Sequence, residues 1–261
     1  MDKRPRFFIV AGPNGAGKST LGHAFVPSGV SIFNGDLVFE ELIKLHPNLP
    51  PERLKGGVAV ALERARDRAI QEGRDFAFET NFSSNLTVEL IHTFRNSQYN
   101  IHLLYFGLPD LNMSESRVTT RVSLGGHDIP SQIIQFNFRE GIKMINQNLS
   151  LFDSITFIST ATIPKIIANF EKKGQNLIIQ DTSIAWFNDQ FKVKYRGNSK
   201  NTNRTTNNSK KKREETIATS CSNPYSLLKI FALELTLRMH GKINIFMMSK
   251  THVLQYQIWP R

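Results

Sequence analysis

One cysteine, Cys221, stands among 261 residues. That scarcity excludes an internal disulfide and any metal site built from several thiolates. No apolar run approaches the roughly 20 residues that a membrane-spanning helix needs. The N-terminus, Met1-Asp2-Lys3-Arg4-Pro5-Arg6, leads directly into a strand-like segment and has no separate signal-type apolar region. A cytoplasmic protein without a membrane partner is therefore expected. No internal repeat is present. Acidic residues are missing from one end: residues 191–261 hold 14 Lys+Arg against 3 Asp+Glu, whereas residues 1–190 hold 19 of each. The whole formal charge of +11 thus lies in the tail, and the first part reads as a neutral domain.

The neutral part has the look of a folded α/β unit. Hydrophobic residues make up 40% of the chain, ordinary for a globular protein. Strand-like runs occur at Phe7–Ala11, Val30–Phe33, Phe76–Phe78, Ile101–Phe106, Ile155–Ile158 and Leu177–Ile179. Helical patterns lie between them at Val58–Gln71 (closed by Gly73), Leu86–Phe94, Met113–Val122 and Ile133–Leu149. Ile163–Lys173, with Pro164 in its first turn and Gly174 after it, is read as a short helix. Strands alternating with helices predict a mostly parallel sheet, with ligands beyond the carboxyl ends of its strands. From about residue 191 the composition changes. Residues 191–224, with Lys210-Lys211-Lys212-Arg213, read as a basic low-complexity linker, disordered by composition. Residues 225–261 form a short segment, with apolar residues at helical spacing over Tyr225–Arg238 and an apolar run at Ile243–Met248, too short for a core of its own. Such a tail could attach to nucleic acid or anionic surfaces; a solvated linker, or sequence from a shifted reading frame, is the preferred reading.

What is present is most specific at Gly12-Pro13-Asn14-Gly15-Ala16-Gly17-Lys18-Ser19-Thr20. This fits the pattern G-x-x-x-x-G-K-[ST], and it follows a strand and opens a helix as that pattern requires. The glycines let backbone N–H groups converge on phosphate, and the helix N-terminus adds partial positive charge. Lys18 is expected at the β- and γ-phosphates and the Ser19 hydroxyl at Mg²⁺, so ATP and Mg²⁺ are the implied cofactors. Asp36, in Phe33-Asn34-Gly35-Asp36, sits after a short strand, where a carboxylate can take the proton of an attacking hydroxyl or help hold the metal; a helix N-cap is the equal alternative. Glu79, Thr80 and Asn81 end the next strand, where an acceptor can be hydrogen-bonded. Arg117 and Arg121 share a helix face at spacing i,i+4, and two guanidiniums there suit a lid over the γ-phosphate. The pair Gly125-Gly126 supplies a hinge, and His127 orders the turn.

Taken together, these four elements resemble the zeta-toxin family of small kinases. The carriers are F-I-V-A-G-P-N-G-A-G-K-S-T, then N-G-D, then F-E-T, then R-V-x-x-R-V-x-x-G-G-H-x-I-P, which span about Phe7 to Gly141 and, more weakly, reach about Trp186. The last element is the most specific. The resemblance implies a P-loop kinase fold over residues 1–190. It also implies phosphoryl transfer from ATP to a small-molecule hydroxyl, in the manner of a UDP-N-acetylglucosamine kinase, and a possible antitoxin partner. By position it makes Asp36 the general base, Glu79 a substrate contact, and Arg117 and Arg121 the lid. Two departures stand out. Where related chains carry R-R-F or R-R-Y, this one has Phe136-Asn137-Phe138, with an arginine only at Arg139; and after Glu79 it has Asn81-Phe82-Ser83 in place of an arginine. A catalytically impaired nucleotide-binding protein, or a nucleic-acid-associated ATPase, are the alternative functions.

Overall fold

The first apolar run becomes β1 (Arg6–Ala11), buried at every residue after Arg6. Burial on both faces is what a central parallel strand requires. In the computed structural model, which describes residues 4–191 except 127, 173–175 and 182–183, β1 lies near the middle of a seven-stranded sheet. The strands are β2 (Ile32–Asn34), β3 (Phe76–Thr80), β4 (Asn100–Gly107), β5 (Ser154–Ser159), β6 (Lys165–Glu171) and β7 (Asn176–Ile179), in the spatial order β2-β3-β1-β4-β5-β6-β7. The first five run parallel, and β6 and β7 are antiparallel additions. The helices are α1 (Lys18–Leu21), α2 (Gly35–Leu45), α3 (Pro51–Glu72), α4 (Asn85–Asn96), α5 (Leu111–Ser123), α6 (Ser131–Gln147) and α7 (Ala185–Gln190). The expected P-loop α/β architecture with a mostly parallel sheet is therefore what the chain adopts. Tail residues 192–261, including Cys221, and His127 lie outside the described residues.

Phenylalanine builds much of the core. Phe94 of α4 stacks on Phe7 of β1 (centroids 4.2 Å apart) and on Phe76 of β3 (5.3 Å), and meets Tyr99 edge-on. At the far end of β4, Gly107 has no side chain because the Trp186 ring of α7 occupies the space a Cβ would take. Among the described residues no helix is long and apolar enough to cross a membrane.

Several expectations need correction. Ile163–Lys173 is not a helix: Lys165–Glu171 is strand β6, paired with β5 and β7. Its β-branched pair Ile166-Ile167 suits a strand, and the edge of β5 offers a ladder of backbone hydrogen bonds. The helix after the phosphate loop is one turn, continued by a 3₁₀ turn at Gly22–Ala24. Helix α3 begins at Pro51, well before the predicted Val58, and closes as expected at Gly73 with φ 61°. The expectations did not include α7 or the full length of α2.

Candidate active site

Strand order sets the site. β1 has β3 on one side and β4 on the other, so the chain changes direction across the sheet there, and a crevice opens beyond the strand ends. Register then fixes neighbours. Asn34, Glu79 and Val10 lie in one row, and Thr80, Ala11 and Tyr105 in the next. Everything after these residues, namely Gly12–Thr20, Asp36 and Asn81, leaves the sheet into the same crevice.

The phosphate loop has the shape its glycines allow. Gly12 has φ 151°, Gly15 φ 75° and Gly17 φ 79°, all outside the range favoured by residues with a Cβ. A Cβ on Gly12 would collide with the Phe106 carbonyl oxygen, and one on Gly15 would stand 2.9 Å from the Ser114 carbonyl oxygen. The loop is thus wedged between β4 and α5. Pro13, Asn14 and Ala16 are buried, while Ser19 and Thr20 are exposed at the start of α1. The left-handed glycines, the buried lysine and the helix that opens at Lys18 are the donor set that suits a nucleoside triphosphate.

Lys18 is 8% exposed. Its three protons are matched by three acceptors: Nζ donates to the Gly12 carbonyl (2.8 Å), the Pro13 carbonyl (2.9 Å) and Asn81 Oδ1 (3.0 Å). Burial lowers its pKa to about 8; Glu79 and Asp36 work against that fall, and Arg121 adds to it. The cation is therefore held back on the loop, next to two carboxylates and one guanidinium.

Ser19 Oγ donates to Glu79 Oε1 at 2.7 Å, and Asn34 Nδ2 reaches Ser19 Oγ at 3.4 Å. Asn34 Oδ1 in turn accepts from the backbone N–H groups of Asp36 (2.9 Å) and Leu37 (3.3 Å). The N-cap of α2 is thus Asn34, not Asp36. Asp36 stands in the first turn with its carboxylate exposed, next to a helix N-terminus that favours negative charge. No cluster of three or more His, Cys, Asp and Glu suited to a metal occurs among the described residues. Mg²⁺ would suit such a site, since it keeps waters and shares phosphate oxygens rather than sitting in an all-protein cage.

The other predicted residues divide. Thr80 Oγ1 lies 3.2 Å from Thr87 Oγ1 and accepts from the Phe82 N–H, so it shapes the loop after β3. Phe82, fully buried at φ 57°, anchors that loop. Arg117 and Arg121 share the face of α5, yet their surroundings differ. Arg117 Nη2 donates to the carbonyls of Thr160 (2.7 Å) and Ala161 (3.0 Å), and Nη1 to that of Gly15 (3.3 Å). It ties α5 to the phosphate loop and to the turn after β5. Removing it leaves these carbonyls without donors, worth about 1–3 kcal/mol for a buried group. Arg117→Ala is accordingly expected to lower the thermal midpoint as well as nucleotide affinity. An unchanged midpoint in a melting experiment would count against this tie. Arg121 is the arginine whose charge reaches Lys18. Its stem is set by Gly126, where a Cβ would stand 2.6 Å from Arg121 Cγ, and Gly125 closes α5 at φ 86°.

One contributor escaped sequence reasoning, Ser114, and two others, Asn137 and Ser83, stood out there only as departures from the family pattern. Ser114 Oγ donates to the Asn14 carbonyl at 2.6 Å. Asn137 Nδ2 donates to Asn14 Oδ1 at 2.9 Å, and Ser83 Oγ donates to Asn137 Oδ1 at 2.7 Å. The signal that could have found Ser114 is its place three residues before Arg117 on the same helix face.

Known proteins share parts of this chain. An uncharacterized protein of Haemophilus influenzae is 28% identical over 128 residues, which is 49% of this chain and 88% of that protein. The fold is similar to a chain of the AvrRxo1-ORF1:-ORF2 complex crystallised with ATP (TM-score 0.55, 14% identity, 69% of this chain). This chain spans 62% of the length of that one. It is also similar to a chain of the PezAT chromosomal toxin–antitoxin system of Streptococcus pneumoniae (TM-score 0.51, 14% identity, 74% of this chain and 81% of that one). At such identities the likeness establishes the fold. The family model for Zeta toxin matches residues 1–183, and with it the chain belongs to the zeta-toxin family and has the architecture of a P-loop phosphotransferase.

Proposed function

We propose that this protein transfers the γ-phosphoryl group of ATP to a hydroxyl of a small molecule, with a UDP-N-acetylamino sugar as the first candidate acceptor. The observation that carries the reading is the convergence of Lys18, Ser19, Asp36 and Glu79 at the mouth of the glycine cradle. Lys18 leaves the Gly12 and Pro13 carbonyls for the phosphates of the bound nucleotide. Ser19 and Glu79, already joined, would hold Mg²⁺, which when bound neutralises charge on the phosphate oxygens. Asp36 accepts the proton of the acceptor hydroxyl as its oxygen bonds to the γ-phosphorus. The bond from that phosphorus to the bridging oxygen breaks, and ADP departs. Arg121 supplies a guanidinium over the transferring group, while Arg117 holds the loop from behind. Glu79 thereby gains a metal-side role in addition to the acceptor contact expected of it. The AvrRxo1 and PezAT structures are of complexes, which supports, for this chain, a neutralising protein partner as part of the same reading.

The test is transfer of label from γ-labelled ATP to a panel of hydroxyl acceptors headed by UDP-N-acetylglucosamine. Labelled acceptor is the expected result. Tight ATP binding with no labelled acceptor would favour the second reading, a nucleotide-binding protein without catalysis. That reading draws on the neutral Asn137 against the loop and on the commitment of Arg117 to backbone carbonyls.

A further inference from the structure

Helix α6 meets the phosphate loop through a neutral side chain. Asn137 spans two loops that are otherwise separate: Nδ2 donates to Asn14 Oδ1 in the phosphate loop, and Oδ1 accepts from Ser83 in the loop between β3 and α4. Each end of this bridge is stiff. Asn14 is 7% exposed, and its own carbonyl is held by Ser114 of α5. The Ser83 loop is pinned by buried Phe82 in the left-handed region, by the bond from the Phe82 N–H to Thr80, and by α6 itself. Gly141 lets that helix approach so closely that a Cβ there would stand 2.5 Å from the Asn81 carbonyl oxygen. The same loop carries Asn81, whose side chain accepts from Lys18. Lys18 must leave Asn81 to reach phosphate, so filling the cradle disturbs the Ser83 loop at one point while Asn137 grips it at another.

We propose that Asn137 is a positioning residue that couples the phosphate loop to the loop between β3 and α4, so that occupation of the cradle by a nucleotide is transmitted to the acceptor side. This rests on the nucleotide-binding reading above. A neutral amide suits such a device, because it can accept from one loop and donate to the other at once, whereas a guanidinium only donates. The bridge carries no charge of its own, which leaves Lys18 and Arg121 as the cations facing the transferred group.

Amide hydrogen exchange on the full chain tests this, with and without a non-hydrolysable ATP analogue. In the free protein, Asn137→Ala is expected to speed exchange in residues 12–17 and 81–84 together. With the analogue, the unaltered protein should be protected in both loops. In Asn137→Ala the phosphate loop should still be protected and residues 81–84 should not, with analogue affinity down about three- to tenfold, the range for one net hydrogen bond. Ser83→Ala should lose the same transmission, and the double variant should lose no more than either single. Asn137→Asp separates positioning from packing. It can accept from Ser83 and, with the Asn14 amide turned, from Asn14, so transmission should return while the added carboxylate weakens analogue binding further. Full protection of residues 81–84 by the analogue in Asn137→Ala would overturn the proposal. If the unaltered protein binds no analogue, the nucleotide reading fails separately. The bridge is then judged on the free-protein exchange alone, and unchanged rates in Asn137→Ala would remove it.

Discussion

Asp36→Asn should lower the rate of phosphoryl transfer by about 10²–10⁴-fold, the usual contribution of a positioned general base, while ATP binding changes little. The asymmetry follows from where Asp36 stands. It is exposed in the first turn of α2, beyond the strand end, and among the described residues its side chain makes no hydrogen bond to the phosphate loop. The backbone N–H of residue 36 bonds to Asn34 and is unaffected by the amide, so the helix start stays capped. What is lost is a site for the acceptor's proton. One effect acts in the other direction: Asp36 raises the pKa of Lys18, so its neutralisation weakens the charge on Lys18 slightly at high pH. Transfer kinetics at pH 7 and calorimetry of ATP binding read the two quantities apart. Equal turnover in Asp36→Asn and the unaltered protein would take Asp36 out of the mechanism and leave Glu79 as the nearest carboxylate to examine.

The parts of the site legible in the sequence are those carried by contiguous residues. Gly12–Thr20 could be read because every position does its work within the loop, through backbone conformation and the next helix turn. Arg117 and Arg121 could be placed on one helix face by their spacing. Their different surroundings could not be read, because the carbonyls that hold Arg117 belong to Gly15, Thr160 and Ala161, far away in sequence. The bridge through Asn137 joins Asn14 and Ser83 across the whole domain; Asn137 and Ser83 were visible as two departures from the family pattern, but nothing local joins them to each other or to Asn14. At the level of the fold the same division holds. β1 and β4 are apolar runs whose burial is written in their composition, and both were found. β6 has a composition that a helix or a strand could use, and Pro164 before it suits the start of either. The free edge of β5 decides, and that edge exists only after β4 and β5 have paired. Asp36 was ambiguous between a catalytic carboxylate and an N-cap, and Asn34, paired beside Glu79 and not weighed as a cap in the sequence, takes the cap.

Lys18→Ala should reduce transfer by at least about 10²-fold, on the scale of removing one electrostatic stabiliser of the transition state, and it should also abolish a pH dependence of ATP binding that the unaltered protein shows. The sign follows from burial. Buried on the loop, Lys18 has a pKa of about 8, lowered chiefly by desolvation. A bound triphosphate favours the charged ammonium, so its pKa rises in the complex. Below pH 8 the lysine is already charged in the free protein, and binding needs no proton. Above pH 8 the free protein has released that proton and must take it up again to bind. Affinity then falls by up to about tenfold per pH unit until the pKa of the complex is reached. Calorimetry at pH 8.5–9.5 in two buffers of different ionisation enthalpy should detect proton uptake in the unaltered protein and none from this group in Lys18→Ala. The fold should tolerate the change. The substitution leaves the buried Gly12 and Pro13 carbonyls without this donor, a cost of about 1–3 kcal/mol per group that removal of a desolvated charge offsets in part, so the thermal midpoint should fall while the glycine conformations keep the loop folded. A Lys18→Ala protein that still melts cooperatively, binds ATP weakly and without proton uptake, and transfers no phosphoryl group would tie the loss to the ammonium itself. An identical proton uptake in both proteins would place the titrating group elsewhere, and the burial of Lys18 would then be a packing feature of the loop.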